Sequence, residues 1–208
     1  MRQLGKKKVL PFAHYQRAYR LPKRMRGWKG RKKPRACQPL PPEAFDAYFM
    51  RAAMEEARVA EGKGEVPVGA ILVRGGRICY RAHNLVEERG SGIAHAELLL
   101  LEAASKEEGR SLKDFTLYVS LEPCLMCAGA MLHARVGRLV FGAYDRERGA
   151  FFSQFHLADW SESPHHLIVR GGVLGTENRL LLQAFFARRR RENKELRRLE
   201  DEAAGLIQ

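Results

Sequence analysis

The chain is 208 residues long, 45% hydrophobic and 29% charged, with a formal net charge of +13. That length holds one ordinary domain and an appendage, and the apolar content is enough for a real core. No run of about 18 apolar residues occurs, which argues against a transmembrane helix, and the four cysteines (37, 79, 124, 127), in a chain without a secretory signal, argue against a disulfide framework.

The charge is concentrated at the N-terminal end. Residues 1–36 hold fourteen Lys or Arg and no acid, which leaves 23 basic against 24 acidic residues over 37–208, a net of −1. The high isoelectric point therefore says little about the rest of the chain. Gly, Pro and cations break any helical pattern in the tail, and Pro39-Leu40-Pro41-Pro42 suits a stiff linker. Residues 1–43 are accordingly expected to form a basic, disordered extension and linker, followed by one domain over 44–208. By composition the extension fits a nucleic-acid-binding arm. A transit peptide is a poorer match, because 1–36 contains neither Ser nor Thr. Translation from Met25 or Met50 is a third alternative.

From residue 44 the pattern becomes that of a folded α/β domain. Apolar residues at helical spacing (Phe45, Phe49, Ala52, Ala53, Ala57) predict a helix from Phe45 to Ala60, ending before Gly62. Val68 to Val73, then Gly75-Gly76, then Arg77 to Ala82 reads as a β-hairpin with a two-glycine turn. A second helix is expected from His95 to about Glu107, a buried strand over Phe115–Val119, and a helix rich in small residues over Leu125–Ala134. Short strands follow at Arg138–Phe141 and His166–Val169. A long, increasingly charged helix closes the chain from Thr176 to about Glu202. A hairpin followed by alternating helices and strands implies a mixed sheet between layers of helices.

Two motifs carry the chemistry: His95-Ala96-Glu97, and Pro123-Cys124-Leu125-Met126-Cys127. One imidazole and two thiolates are three zinc ligands, and a catalytic zinc keeps a fourth position for water where a structural zinc takes a fourth protein ligand. Both motifs open helices, where unpaired N–H groups and the helix dipole favour the thiolate form. Cys124 and Cys127 stand three apart, so their side chains point to one side. Glu97, two residues from the His, is placed to handle the proton of a bound water. Taken singly, each part has a plainer explanation. A lone C-x-x-C after a strand also fits a thioredoxin-like redox pair, and Glu97 at the third position of a helix also fits a capping residue. A fourth zinc ligand would have to come from Cys37, in the linker, Cys79, on an apolar strand, or another His.

The chain resembles the tRNA-specific adenosine deaminases of the cytidine and deoxycytidylate deaminase superfamily from about residue 45 to about 198. The resemblance rests on Glu65-Val-Pro-Val-Gly-Ala-Ile71, Asn84, Ala94-His-Ala-Glu97, the long block from Thr116 to Ala130, and Val140-Phe-Gly-Ala-Tyr-Asp145. It implies a three-layer α/β/α cytidine-deaminase-like fold with a mixed central sheet of about five strands. It also implies a cytoplasmic homodimer with one zinc ion per subunit, acting on a tRNA anticodon stem-loop and converting the wobble adenosine to inosine, with no membrane partner. On the matching positions, His95, Cys124 and Cys127 are the zinc ligands and Glu97 the proton shuttle. Asn84 helps to seat the target nucleotide, Val68 lines the base pocket, Asp145 contacts the neighbouring backbone, and Phe186 helps to hold a splayed base. By residue type alone, Asn84 reads as a turn former and Asp145 as a loop solubiliser.

One loop departs from the family. Members usually have an Asp-Pro pair shortly before the zinc-ligating His, whereas this chain reads Glu88-Arg-Gly-Ser-Gly-Ile93, expected to be more flexible. The aromatic stretch Ala150 to Phe155 and Trp160 is expected to pack, with an exposed ring there able to stack an anticodon base. Arg188 to Arg191, Lys194, Arg197 and Arg198 put seven cations on the last helix among Glu192, Glu195 and Glu200. Composition alone reads this as a solvated face with i,i+4 pairs. The resemblance places it near the anticodon stem.

Overall fold

The computed structural model describes residues 42–205, with side chains over 43–203. The expected basic extension therefore lies outside the described residues, as does Cys37. The boundary moves slightly: Pro42 and Glu43, expected to end the linker, instead open the first helix, α1 (Pro42–Gly62). A Pro in the first helical turn costs nothing, since its missing N–H has no partner to find there.

The order of elements follows the sequence reading. After α1 come β1 (Gly69–Arg74), β2 (Arg77–His83), α2 (Ala96–Glu108), β3 (Thr116–Leu121), α3 (Leu125–His133), β4 (Arg138–Ala143), β5 (Ile168–Arg170) and α4 (Gly175–Gly205), with a short 3-10 turn at Leu157–Asp159. The five strands form one sheet in the order β2-β1-β3-β4-β5. β1 runs antiparallel to both β2 and β3, while β3, β4 and β5 are parallel. The hairpin turn is Gly75-Gly76, with φ of 58° and 77°. Two successive left-handed residues match the twist of the strands, and glycine takes that conformation at no steric cost.

Helices cover both faces of the sheet, as alternation along the buried strands requires. Ile71, Val73, Tyr118 and Val140 point to one face and pack against Phe49, Met50 and Ala53 of α1. Ala70, Leu72, Leu117, Val119, Leu139 and Phe141 point to the other and pack against Leu100, Leu101 and Ala104 of α2 and Met131 of α3. Helix α4 lies with α1: Asn178 closes over Gly142, and Arg188 pairs with Glu61 at 3.0 Å. The close contact of α1 with the sheet needs Gly69, where a Cβ would collide with the backbone of Ala53 and Ala57. No helix among the described residues is long and apolar enough to cross a membrane.

A buried ionic cluster ties the α1 layer to the sheet. Asp46, 1% exposed, accepts hydrogen bonds from both Arg138 Nη atoms at 2.7 Å, from Arg170 Nη1 at 2.6 Å and from the Tyr118 hydroxyl at 2.9 Å. Burial alone would raise its pKa. The hydrogen bonds and charge of Arg138, followed by Tyr118 and Arg170, overcome that and hold the carboxyl below its ordinary value.

Candidate metal centre

The ends of β2, β3 and β4 lie along one edge of the sheet, and the chain leaving each of them contributes to the site. His95 stands immediately before α2 with an extended backbone (φ −73°, ψ 147°), and Cys124 stands likewise before α3 (φ −72°, ψ 171°). Neither side chain caps its own helix, so the imidazole and thiol are free to turn toward each other. Cys127 is buried in the first turn of α3. His95 Nδ1 lies 3.5 Å from Cys127 Sγ and 3.7 Å from Cys124 Sγ, and all three donor atoms fall within 4.8 Å of one another. Tetrahedral zinc, with Zn–S near 2.3 Å and Zn–N near 2.0–2.1 Å, spaces N and S about 3.5–3.6 Å apart. The donor types and their spacing fit that ion. Among the described residues no other His, Cys, Asp and Glu side chains converge in this way.

The electrostatics also favour a cation. The hydrogen bond from Cys127 brings the Cys124 thiol down to about 4, against the effect of burial and with help from His95. That same hydrogen bond, together with burial and the charge of Glu97, pushes Cys127 upward. The hydrogen bond to Cys124 leads the causes that raise His95. Two adjacent sulfurs, Cys127 buried and Cys124 half-buried, can both be thiolates only when a positive ion sits between them.

Glu97 lies in the first turn of α2, 3% exposed, and hydrogen-bonds with Cys127. Burial pushes its carboxyl up to about 6, opposed by a backbone hydrogen bond and by His95. A dry carboxyl poised near neutrality can both take and return a proton.

The remaining expected site residues sit on different elements around this cluster. Asn84 and Val68, each 6% exposed, join the hairpin to the start of α2. Asn84 Oδ1 accepts the Ala96 N–H at 2.9 Å, which occupies an otherwise unpaired donor of α2. The Asn84 N–H donates to the Val68 carbonyl at 3.0 Å. No described residue accepts a hydrogen bond from the Asn84 NH2 group. Asp145 Oδ1 accepts the N–H groups of Glu147 and Arg148 at 3.0 and 3.1 Å, so it shapes its own loop. That loop reaches the site through a bridge between Gly149 and Cys124. Phe186, 43% exposed, sits on α4 in the other helical layer, edge-on to buried Phe185 at 5.3 Å.

Sequence reasoning passed over Glu122, two residues before Cys124. It is 1% exposed and accepts hydrogen bonds from four backbone N–H groups and the Ser153 hydroxyl. The donors that hold it lie 23 to 31 positions away, so no local sequence signal marks it. The Glu88–Ile93 loop is held by Ser91 N–H to Val86 O and Ala94 N–H to Ser91 O, both 3.0 Å, and Glu88 N–H to Glu65 Oε1 at 2.8 Å. In the aromatic stretch Phe151 is core and Phe152 packs on Phe141 and Tyr144, while Phe155 and Trp160 are exposed. On α4, Arg188, Arg189 and Arg198 pair with nearby glutamates.

Residues 43–143 match the family described as the cytidine and deoxycytidylate deaminase zinc-binding region. The chain is 45% identical over 154 residues to the tRNA-specific adenosine deaminase of Bacillus subtilis (strain 168), covering 74% of this chain and 96% of that protein. It is 47% identical over 152 residues to the protein of the same name from Haemophilus influenzae, covering 72% and 88%. A solved structure from studies of A-to-I editing by tRNA:A34 deaminases at the wobble position of transfer RNA superposes with a TM-score of 0.61 and 38% identity, over 64% of this chain and 98% of that one.

Proposed function

The chain belongs to the tRNA-specific adenosine deaminase family, and from that premise we propose that it hydrolyses the wobble adenosine of a tRNA anticodon to inosine. The observation that carries the reading is the convergence of His95, Cys124 and Cys127 beside a buried Glu97 with a raised pKa. Zinc held by those three side chains, one ion per subunit, supplies a Lewis acid that brings the pKa of water to about 7. Glu97 accepts one proton of the attacking water and delivers it to the purine ring nitrogen beside C6, then takes the proton of the new C6 hydroxyl and passes it to the leaving amine. Water oxygen becomes the C6 carbonyl, the C6–N bond breaks and ammonia departs. Positioned proton transfer of this kind contributes roughly 10²–10⁴-fold.

Asn84 seats the target nucleotide with an amide NH2 that no described residue takes up. Val68 lines the pocket, Asp145 contacts the adjacent backbone and Phe186 holds a splayed base. An anticodon loop is single-stranded, so extruding its adenine costs less than from a duplex. The enzyme works in the cytoplasm as a homodimer, and exposed Ile93, Leu125 and Met126 supply apolar surface for a second copy.

The test is incubation of zinc-loaded protein with an anticodon stem-loop bearing a wobble adenosine, and separately with free adenosine and guanine. Inosine in the stem-loop, with the free compounds untouched, is the expected result. Turnover of the free compounds alone rejects the assignment to tRNA.

A further inference from the structure

We propose that Glu122 is a positioning residue that sets the place of Asp145 relative to the metal ligands, and so governs substrate binding. Its carboxylate is buried and both oxygens are fully used. Oε1 accepts the three successive N–H groups of Phe151, Phe152 and Ser153 at 3.1, 2.8 and 3.1 Å. Oε2 accepts the Asp145 N–H at 3.2 Å and the Ser153 hydroxyl. The residues it gathers lie 23 to 31 positions away, at both ends of the loop that follows β4. Glu122 itself is fixed to β4 through its own N–H, which donates to the Ala143 carbonyl at 2.8 Å.

The same loop is sewn to the cysteine segment next door. Ala150 N–H donates to the Pro123 carbonyl at 2.9 Å, and Gly149 bridges Cys124. Gly149 is needed for this fit, because a Cβ there would collide with Glu122 Oε2 and the Asp145 carbonyl. One carboxylate thus links the backbone of a zinc-ligand segment to the backbone of Asp145. A buried acid with five donors converging on it is a rigid joint, since each lost bond leaves a buried donor unpaired. The inference rests on the proposed role of Asp145 in holding RNA.

Glu122→Gln separates this role from general stability. The Gln carbonyl can still take the three N–H groups at Oε1, and its NH2 can donate to the Ser153 oxygen. The Asp145 N–H alone then faces a second donor. Zinc-loaded E122Q, assayed on the anticodon stem-loop below its melting temperature, is expected to raise KM about ten-fold and to keep kcat within about two-fold. Ser153→Ala, which removes the hydroxyl without facing Asp145, is expected to lower Tm yet leave KM within about two-fold. In an Asp145→Ala background E122Q is expected to add no further increase in KM. Unchanged KM in E122Q, an equal KM effect in S153A, or a full E122Q effect without Asp145 overturns the proposal. Should E122Q not fold, Glu122→Asp, which keeps the charge but draws the carboxylate back from its donors, carries the same cycle with the same outcomes. Wild-type turnover of the stem-loop is the control: its absence would reject the tRNA reading instead.

Discussion

Replacing Asp46 with Asn should unseat the domain's principal buried ion cluster. Its side chain is 2% exposed, and its partners Arg138 and Arg170 are 15% and 35% exposed, so the exchange leaves two largely desolvated guanidinium groups facing a neutral amide. Removing one member of a buried pair typically costs about 3–5 kcal/mol. For a domain of this size each kcal/mol moves Tm by about 2–4 °C, which gives a fall of roughly 6–20 °C. Urea melts and calorimetry on zinc-loaded protein at pH 7 measure the loss directly. The pH dependence adds a second check. The native pKa of Asp46 lies below its ordinary 3.8, so the stabilisation is complete above that value and is lost as pH falls through the lowered native pKa. The wild type should therefore lose part of its advantage over D46N only below about pH 4. A D46N variant within about 0.5 kcal/mol of wild type at pH 7 would refute the reasoning.

Glu97→Gln should retain zinc and the fold while lowering kcat by about 10²–10⁴, read as inosine formed per bound zinc; full turnover would remove Glu97 from proton transfer. Neutralising Arg191 and Lys194 on α4 should weaken stem-loop binding and flatten its salt dependence by roughly 0.7–0.9 per cation lost, measured by titration at several salt concentrations. An unchanged slope would place the RNA elsewhere. Deleting residues 1–41, ahead of α1, should leave kcat within about two-fold and at most weaken RNA binding with steep salt dependence; loss of folding or of turnover would contradict an extension external to the catalytic domain.

What the sequence disclosed was local. The hairpin was legible because Gly75-Gly76 allows two successive left-handed residues, and the His95, Cys124 and Cys127 cluster because both short motifs open helices. The β5 region was legible only approximately: the strand occupies Ile168–Arg170, not His166–Val169. The neighbouring His165 turns aside, its Nε2 pairing with the Val136 carbonyl at 2.7 Å. Asp46 and Glu122 were not legible at all. Their donors lie up to 124 and 31 positions away, and nothing within either local window distinguishes a buried acceptor from a solvated acid. Asp145 shows an intermediate case. Its place in a loop was visible, while its use of Oδ1 to hold the Glu147 and Arg148 N–H groups required the turn itself.

The claim beneath the whole account is that one zinc ion, held by His95, Cys124 and Cys127, is required for turnover. Stripping the protein of metal and titrating zinc back while recording inosine formation tests it most directly. Activity should be absent at first and rise linearly to a plateau at one zinc per subunit. Full activity in the metal-free protein would contradict the account.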